Sequence, residues 1–295
     1  MPRGKTDSAR WEHEWRASGA FAGFPELEMM GYDRLTEATP LSDHRHERCY
    51  EFVYVENRRV TWEVGDALYP SHAGQFFHTK PGEWHRARFR YMEPSIIWWI
   101  IVVDPAEQPG WLGFGDADRA RIGAALGALP RIVTADLRAR EPFAKLRGVL
   151  EHGTADDLFR ARHYLLDILL QLLDPPAARQ LPLDLREAML RLSAEIEAEP
   201  ERRWANKELA ARVGVSESHF YRLFQELHGQ SPASYVDRQR MARACELLRR
   251  ADSSVTGVAM DLGYKTSQHF ATVFKKYVGA SPTRWRSAQD ADLKN

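Results

Sequence analysis

Short apolar runs broken by turn residues fill the first third of the chain. The clearest of these runs are residues 50–56, 60–64, 75–78, 85–91 and 96–103. Gly65-Asp66 and Pro81-Gly82 provide turn signals between them. Several strands at such spacing predict a β-sandwich or barrel from about residue 24 to residue 103. The last run reads IIWWIIVV and is apolar throughout, which predicts a strand that is buried on both faces.

Beyond residue 109 the spacing of apolar positions becomes helical. Residues 118–129, 142–151 and 156–173 predict amphipathic helices, and the third has a broad apolar face. On this third helix two sets of apolar residues recur every seven positions: Leu158, Leu165 and Leu172, and Phe159, Leu166 and Leu173. The pattern fits a helix packed against its own barrel and fits a dimer seam equally well, because three heptads are too few to indicate a coiled coil.

The chain divides at a segment that is rich in Pro and Ala. Residues 174–184 (DPPAARQLPLD) predict a linker, after which the pattern is helical. The predicted fold class is therefore α+β: a β-barrel, a helical connector and a separate all-α domain. The predicted boundaries are 1–20 for an N-terminal arm, 21–110 for the barrel, 111–173 for the connector, 174–184 for the linker, 185–288 for the all-α domain and 289–295 for a C-terminal tail.

The all-α domain contains the same short unit twice. Residues 219–236 read HFYRLFQELHGQSPASYV, and residues 269–286 read HFATVFKKYVGASPTRWR. Before each unit an alanine, Ala210 or Ala259, stands four residues ahead of a glycine, Gly214 or Gly263. This spacing predicts a short helix that ends at a left-handed residue, a tight turn and a second helix. The domain is therefore predicted to contain two helix-turn-helix units, whose second helices enter the major groove in proteins that bind DNA.

Charge is distributed unevenly although the chain as a whole is neutral. Residues 202–286 contain 15 Lys and Arg against 7 Asp and Glu, a net charge of +8. A basic stretch that contains both copies of the repeat favours DNA as the partner. The only cysteines, Cys49 and Cys245, form no disulfide framework. The N-terminus is polar and lacks the apolar core of a signal peptide, and the longest apolar run, residues 96–103, is far shorter than the ~20 residues of a membrane-spanning helix. We therefore expect a cytoplasmic protein with no membrane partner.

Residues 209–285 resemble the DNA-binding domain of the AraC/XylS family of bacterial transcription regulators. The resemblance is most specific in VTGVAMDLGYKTSQHFATVFKKYVGASPTRWR, at Ala259, Gly263-Tyr264, Ser267, Phe270, Phe274-Lys275, Gly279, Ser281-Pro282 and Arg286. The connecting helix fits the family pattern at Arg240-Met241, Ala244 and Leu247-Leu248. The resemblance implies a cupin barrel as the N-terminal domain.

The resemblance also implies roles for individual residues. The implied base-reading residues are Ser218, Tyr221 and Arg222 in the first unit, and Ser267, Gln268, Ala271 and Thr272 in the second. Arg222 is the strongest candidate for a specific contact, because one arginine can donate two hydrogen bonds to a guanine. Family members often have Arg where this chain has Thr272, so base reading by the second helix is expected to be weaker or different. The implied phosphate contacts are Arg202, Arg203, Lys207, Lys265, Lys275 and Lys276.

A second group of candidate residues lies in the predicted barrel. Residues 43–51 (DHRHERCYE) and 80–85 (KPGEWH) give the spacing H-x-H-x4-E followed by P-G-x-x-H. This spacing resembles the two cupin motifs, which bring three His and one Glu to the barrel mouth. Here these residues are His44, His46, Glu51 and His85, and they could hold iron, zinc, nickel or manganese. No cofactor is certain, since Asn57-Arg58-Arg59 stands where metal cupins often turn on a glycine.

The same barrel could instead bind an organic effector, as the resemblance implies, with the histidines as hydrogen-bonding or structural groups. The predicted effector site combines His44, His46, Glu51 and His85 with Tyr32, Trp62 and Trp98. Aromatic walls with a few polar groups suit a sugar or a related polyol. The three aromatic residues could equally be part of the barrel core.

These features predict a ligand-responsive transcription regulator and no enzyme. The expected partners are double-stranded promoter DNA, a small-molecule effector, RNA polymerase and a second copy of the chain. Effector binding would bias an equilibrium between arrangements of the DNA-binding domains. Two alternatives stay open: a cupin metalloenzyme that carries a DNA-binding tail, and an effector-independent regulator whose cupin only dimerises.

Overall fold

The computed structural model of the chain describes residues 9–14, 24–135, 137–174, 182–250 and 253–292. These residues form two compact units, described one at a time: Met1–Leu35 with Leu41–Ala178, and Thr36–Pro40 with Arg179–Asn295. Parts of the predicted arm, linker and tail lie outside the described residues, at 1–8, 15–20, 175–181 and 293–295. Strands dominate the first unit and helices the second, so the predicted α+β class is confirmed.

The first unit is built on two antiparallel sheets. The larger sheet has six strands in the order β1 (Ala9–Glu14), β2 (Leu27–Arg34), β10 (Ile96–Val103), β4 (Cys49–Asn57), β7 (Gln75–Thr79) and β11 (Ile132–Thr134). The smaller sheet has three strands in the order β6 (Ala67–His72), β5 (Arg59–Val64) and β8 (His85–Ala87). One further strand of this unit, β9 (Tyr91–Met92), contains two residues, and β3 (Thr39–Pro40) belongs to the second unit.

Strand β10 is buried on both faces, as its unbroken apolar sequence predicts. Its even-numbered residues from Trp98 to Val102 lie in the apolar core that the helices cover. Its odd-numbered residues from Ile97 to Val103 lie in a second apolar cluster between the two sheets. The space between the sheets is therefore the barrel interior, and the parity of a residue along its strand decides whether its side chain can reach that space.

Three helices complete the first unit: α1 (Asp116–Gly127), α2 (Arg140–His152) and α3 (Leu158–Leu173). Leu165 and Leu172 of α3 are fully buried, and Leu158 packs at the edge of the same core. For this set of leucines, packing against the helix's own unit is therefore confirmed. Phe159, from the other heptad set, has 67% of its surface exposed.

Several details of the first unit differ from the sequence-based expectation. The described part of the predicted arm is strand β1, which pairs with β2. The predicted strand at 85–91 already ends at Ala87, because Phe89 and Arg90 adopt φ values of 60° and 61° that break the strand. The predicted helical connector contributes β11 to the large sheet. Arg58, with a φ of 69°, makes the turn after β4 without a glycine.

Among the described residues of the second unit, the regular elements are helices apart from β3. The helices are α4 (Leu183–Ala198), α5 (Asn206–Val213), α6 (Glu217–His228), α7 (Pro232–Leu248), α8 (Val255–Asp261), α9 (Ser267–Val278) and α10 (Pro282–Asp292). Helices α4, α5 and α6 share a core that includes Ile196, Leu209 and Phe220. Helix α7 contacts α6 as well as α8 and α9, so it joins the two copies of the repeat. Among the described helices of the whole chain, none is long and apolar enough to cross a membrane.

Candidate nucleic-acid interface and cation cluster

The first helix of each repeat copy ends in the same hydrogen-bonded turn. After α5, Gly214 has a φ of 74°, and Val215 N donates to Ala210 O at 3.1 Å. After α8, Gly263 has a φ of 78°, and Tyr264 N donates to Ala259 O at 2.9 Å. Glycine adopts this left-handed conformation at the lowest cost, which explains its presence at the same place in both copies. The two helix-turn-helix units predicted from the sequence are confirmed.

The second helix of each copy begins with a side-chain cap and buries one face. Ser216 Oγ accepts a hydrogen bond from His219 N at the start of α6. Thr266 Oγ1 accepts the equivalent bond from His269 N at the start of α9. Each helix is anchored by two fully buried phenylalanines four residues apart, Phe220 and Phe224 in α6 and Phe270 and Phe274 in α9. The opposite face of each helix is free of this core.

The predicted base-reading residues lie away from the buried phenylalanines. Arg222 is exposed, and within the described chain its guanidinium forms no ion pair. Thr272 is exposed too, but its Oγ1 donates to Gln268 O at 3.0 Å, which turns the hydroxyl back onto its own helix. The two longest polar side chains of the set, Tyr221 and Arg222, belong to α6. The exposed members of the set are Ser218, Tyr221, Arg222, Gln268 and Thr272, and the half-buried members are Ser267 and Ala271.

The six predicted phosphate contacts are all exposed, but they differ in their neighbours. Arg202 donates to Glu208 Oε1 at 2.6 Å and lies 4.7 Å from the centre of the Trp204 ring. Its charge is therefore partly balanced within the domain, which makes it a weaker candidate than the other five. Those five are Arg203, Lys207, Lys265, Lys275 and Lys276.

The four predicted metal ligands converge on the barrel interior. Glu51 lies on β4 with the same parity as Val53, which faces the second sheet. His44 and His85 form a backbone bridge, in which each N–H donates to the carbonyl of the other at 3.0–3.1 Å. One ligand atom from each of His44, His46, Glu51 and His85 lies within 4.8 Å of all the others. We call these four residues the cation cluster.

Glu51 is the centre of the cation cluster. Its Oε2 lies 2.6 Å from His85 Nε2, 3.8 Å from His44 Nε2 and 3.7 Å from His46 Nε2. The Nδ1 atoms of His44 and His85 donate to backbone carbonyls at 2.9 Å and 3.0 Å, so their Nε2 atoms face the carboxylate. A contact of 2.6 Å between an imidazole nitrogen and a carboxylate oxygen requires a proton between them. A proton or a metal cation can therefore supply the positive charge at this point.

The titration of Glu51 and His44 is consistent with this arrangement. Burial alone would raise the pKa of Glu51, but the nearby Nε2 groups of the three histidines outweigh burial and hold the pKa well below its usual range. Burial alone would lower the pKa of His44. The interaction of its Nε2 with the nearby, negatively charged carboxylate of Glu51 outweighs burial, so the pKa of His44 is raised. The cluster thus combines an ionised carboxylate with positive charge next to it.

The residues of the cluster fit a divalent cation. Three imidazole nitrogens and one carboxylate oxygen are ligands that zinc, iron, nickel and manganese accept. His46 Nε2 is buried and has no hydrogen-bond partner among the described residues, so a cation would satisfy it. The Nδ1 hydrogen bonds of His44 and His85 orient these rings as in known metal sites. A bound cation would polarise an oxygen atom of a ligand that reached it.

The aromatic residues predicted for the effector site are not all near the cluster. Tyr32 and Trp98 pair across β2 and β10 on the helix-covered face of the large sheet, with ring centroids 4.5 Å apart. Glu51 faces the barrel interior, so the prediction of one site with all seven residues is wrong. Trp62 does face the interior, where it stacks on Phe77 with ring centroids 4.9 Å apart. Its Nε1 is buried and lacks a hydrogen-bond partner among the described residues.

Two residues that support the cluster are missing from the sequence-based prediction. Glu83 lies within the KPGEWH motif, and its carbonyl accepts the hydrogen bond from His85 Nδ1. Arg131 binds the Glu83 carboxylate through both terminal guanidinium nitrogens. The position of Glu83 inside a motif is a signal that could have identified it. Arg131 belongs to no motif, so only the fold reveals its role.

Comparison with known protein families agrees with both parts of the chain. Residues 209–288 match the family model of a helix-turn-helix domain, and residues 36–101 match that of a cupin domain. Each match covers less than half of the chain, and the two do not overlap. The chain therefore joins a cupin domain to a helix-turn-helix domain.

Curated relatives carry names of the same kind. A stretch of 85 residues is 36% identical to the HTH-type transcriptional activator RhaS of Escherichia fergusonii, covering 29% of this chain and 31% of RhaS. A stretch of 136 residues is 32% identical to the MmsAB operon regulatory protein of Pseudomonas aeruginosa, covering 43% of this chain and 42% of that protein. An uncharacterized HTH-type transcriptional regulator of Haemophilus influenzae is 33% identical over 90 residues, 30% of each chain. The chain thus spans less than half the length of these relatives.

Proposed function

We propose that this protein is a sequence-specific DNA-binding transcription regulator. The observation that carries the proposal is the duplicated helix-turn-helix, in which two capped second helices bury equivalent phenylalanines and leave one polar face exposed. The net charge of +8 over residues 202–286 supports DNA as the partner. Because the RhaS relative is named an activator, we further propose activation with RNA polymerase as a partner. Such a protein would act in the cytoplasm, where promoter DNA is found.

A selection experiment tests this proposal. The purified full-length chain is mixed with fragments of its own genome at physiological salt, and the bound fragments are sequenced. We expect a small set of fragments to be enriched at least 1,000-fold over random DNA, the low end for specific DNA-binding proteins. A double variant of the exposed face of α6, Tyr221→Ala with Arg222→Ala, should lose this enrichment. Enrichment of no fragment over any other would contradict the proposal.

We propose that the barrel senses a small molecule at the cation cluster. A sugar or a related polyol suits the cluster, because its hydroxyl oxygens can bind a cation and accept hydrogen bonds. Trp62 adds support: its buried indole N–H lacks an acceptor among the described residues, and such a donor costs about 1–3 kcal/mol. A ligand oxygen in the interior could accept this hydrogen bond.

A test of the sensing role uses the double variant His46→Ala with Glu51→Ala. Ligands are first identified by their stabilisation of the wild-type chain in a thermal-shift screen, with and without a divalent cation. We expect the double variant to lose the effect of the ligand on DNA binding while it keeps its affinity for DNA in the absence of ligand. A double variant that responds as the wild type does would contradict the sensing role.

The cation cluster also favours a second candidate function, that of a cupin metalloenzyme with a DNA-binding tail. Three histidines and a carboxylate around one point can serve a catalytic metal as well as a sensing one. Metal content and turnover of the ligands from the screen distinguish the two functions. Full metal occupancy with turnover favours the enzyme, and ligand binding without turnover favours the sensor. A chain that binds no small molecule would point to an effector-independent regulator.

We propose further that the protein is a homodimer that pairs through α3. Phe159 and Leu170 are 67% and 51% exposed on the side of α3 opposite the buried leucines. Arg160 flanks the first half of this apolar stripe and Asp174 follows its end, both exposed. In an antiparallel, two-fold related pair centred on Asp167, midway between Arg160 and Asp174, each Arg160 would approach Asp174 of the second copy. This charge complementarity favours a second copy as the occupant of the stripe.

A further inference from the structure

The loop that carries His85 is held by an internal turn. Glu83 N donates to Lys80 O at 3.1 Å, and Gly82 N donates to His46 O at 2.8 Å, which ties the turn to the other histidine motif. The carbonyl of Glu83 then accepts the hydrogen bond from His85 Nδ1 at 3.0 Å. The orientation of the His85 ring therefore depends on where this turn puts one carbonyl oxygen.

The side chain of Glu83 fixes the turn to a segment that is distant in sequence. Arg131 Nη1 and Nη2 donate to the two carboxylate oxygens of Glu83 at 2.6 Å and 2.9 Å. Lys80 N donates to the same carboxylate at 2.7 Å, and Arg131 Nη1 also donates to His78 O at 2.9 Å. The two side chains are only 19% and 29% exposed, for Arg131 and Glu83 respectively. A two-pronged, half-buried pair of this kind holds its partners in one geometry.

The carboxylate of Glu83 and the guanidinium of Arg131 balance each other's charge within hydrogen-bond distance. If one partner were removed, the other would keep a half-buried charge with fewer partners. The turn would then lose both its clamp and its charge balance.

From these contacts we propose that Arg131 is a positioning residue of the cation cluster: by clamping Glu83, it fixes the carbonyl that orients the imidazole of His85. The described hydrogen bonds of the Arg131 side chain go to Glu83 and to His78 O, and none goes to the four cluster residues. Arg131 therefore acts through Glu83. The proposal rests on the proposed cation site. Because Arg131 lies between α1 and β11, the proposal makes this segment part of that site.

The test measures Co²⁺ affinity and the visible absorption spectrum of bound Co²⁺ in the full-length chain. Removal of a residue that orients a metal ligand typically costs 10–100-fold in metal affinity. We expect Arg131→Met and Glu83→Gln each to weaken Co²⁺ binding by about 10–100-fold and to change the spectrum. The double variant should lose little more than either single variant, because the two residues act as one unit.

Arg119 provides a matched control. Its guanidinium is also buried and also donates to backbone carbonyls and to one carboxylate, at Pro105, Gln108 and Asp116. None of these partners belongs to the turn before His85, so Arg119→Met should leave Co²⁺ affinity unchanged within about twofold. Equal losses in Arg119→Met and Arg131→Met would show a general effect of a lost arginine and overturn the proposal.

The outcomes separate this proposal from the proposed cation site. If the wild type binds Co²⁺, His85→Ala abolishes binding, and Arg131→Met binds as the wild type does, the site stands and the positioning role is wrong. If the wild type binds no Co²⁺, the cation site itself is wrong and the positioning role falls with it. If Arg131→Met does not fold, Glu83→Gln decides the matter, because it keeps the shape of the side chain.

Discussion

His85 Nε2 and Glu51 Oε2 lie 2.6 Å apart inside the barrel, although 34 positions separate the two residues in the chain. The pKa of His44 is raised, so His44 keeps its proton to a higher pH than an ordinary histidine does. A cation that binds to the cluster has to displace this proton. We therefore predict that the affinity for Zn²⁺ rises as the pH rises from about 5.5 to about 8. Calorimetric titration at several pH values should show the release of protons.

Glu51→Gln is the matched variant for this prediction. It keeps the size of the side chain but removes the charge that holds a proton on His44 and would balance a cation. We expect its Zn²⁺ affinity to fall at least 10-fold and its pH dependence to become shallower. A wild-type affinity that does not change with pH would contradict the account of the cluster.

Arg222 and Lys207 should differ in how they contribute to DNA binding. Arg222 is exposed on α6 without an ion-pair partner in the described chain, and it lies on the face opposite Phe220 and Phe224. We predict that Arg222→Ala weakens binding to the selected fragments by about 1–3 kcal/mol and leaves random DNA nearly unaffected. Lys207→Ala should weaken both equally and reduce the salt dependence. Equal losses on both kinds of DNA in Arg222→Ala would reassign Arg222 to a phosphate contact.

Gly214 and Gly263 occupy equivalent turns but have different surroundings. A Cβ at Gly214 would meet nothing within 4 Å, so Gly214→Ala should cost about 1–2 kcal/mol for the left-handed backbone alone. A Cβ at Gly263 would lie 3.2 Å from the backbone oxygen of Glu201, so Gly263→Ala should cost more. Urea unfolding of the two variants of the full-length chain gives the comparison. A smaller loss for Gly263→Ala would contradict this description of the second turn.

The second unit could be predicted closely from the sequence because its signals are local. Ala210 and Ala259 lie before the turns, Gly214 and Gly263 end the first helices, and the phenylalanine pairs follow at a fixed distance. Each of these residues acts within about twenty positions of the chain. The cation cluster could be predicted for a related reason. Two short motifs contain all four of its residues, and the barrel only has to bring the two motifs together.

The rest of the first unit depends on long-range pairing that the sequence does not display. Tyr32 and Trp98 are aromatic residues within the predicted barrel, but their positions along β2 and β10 turn them to the helix-covered face. That parity depends on the register between strands, which no local pattern specifies. Arg131 escaped prediction for the same reason, since it meets Glu83 across 48 positions of sequence.

The exposed stripe on α3 should be responsible for self-association. We predict that Leu170→Arg shifts the full-length chain toward the monomer in sedimentation equilibrium, because it puts a charge into the apolar seam. Leu68→Arg is the matched control, since Leu68 is 45% exposed on β6 of the same unit and lies outside the stripe. Equal behaviour of the two variants, or a monomeric wild type, would contradict pairing through α3.

We propose that the duplication gives one chain two readers of the major groove, joined by α7. Two recognition helices on one face of the duplex would enter successive major grooves, about 34 Å or about 10 base pairs apart. The most direct measurement is the affinity of the full-length chain for its selected site after insertion of five or ten base pairs between the two half-sites. A half turn moves the second groove to the far side of the duplex, where a helix held by α7 cannot follow. We therefore predict that five inserted base pairs weaken binding much more than ten. Affinity that falls equally for both insertions, or for neither, would contradict the claim.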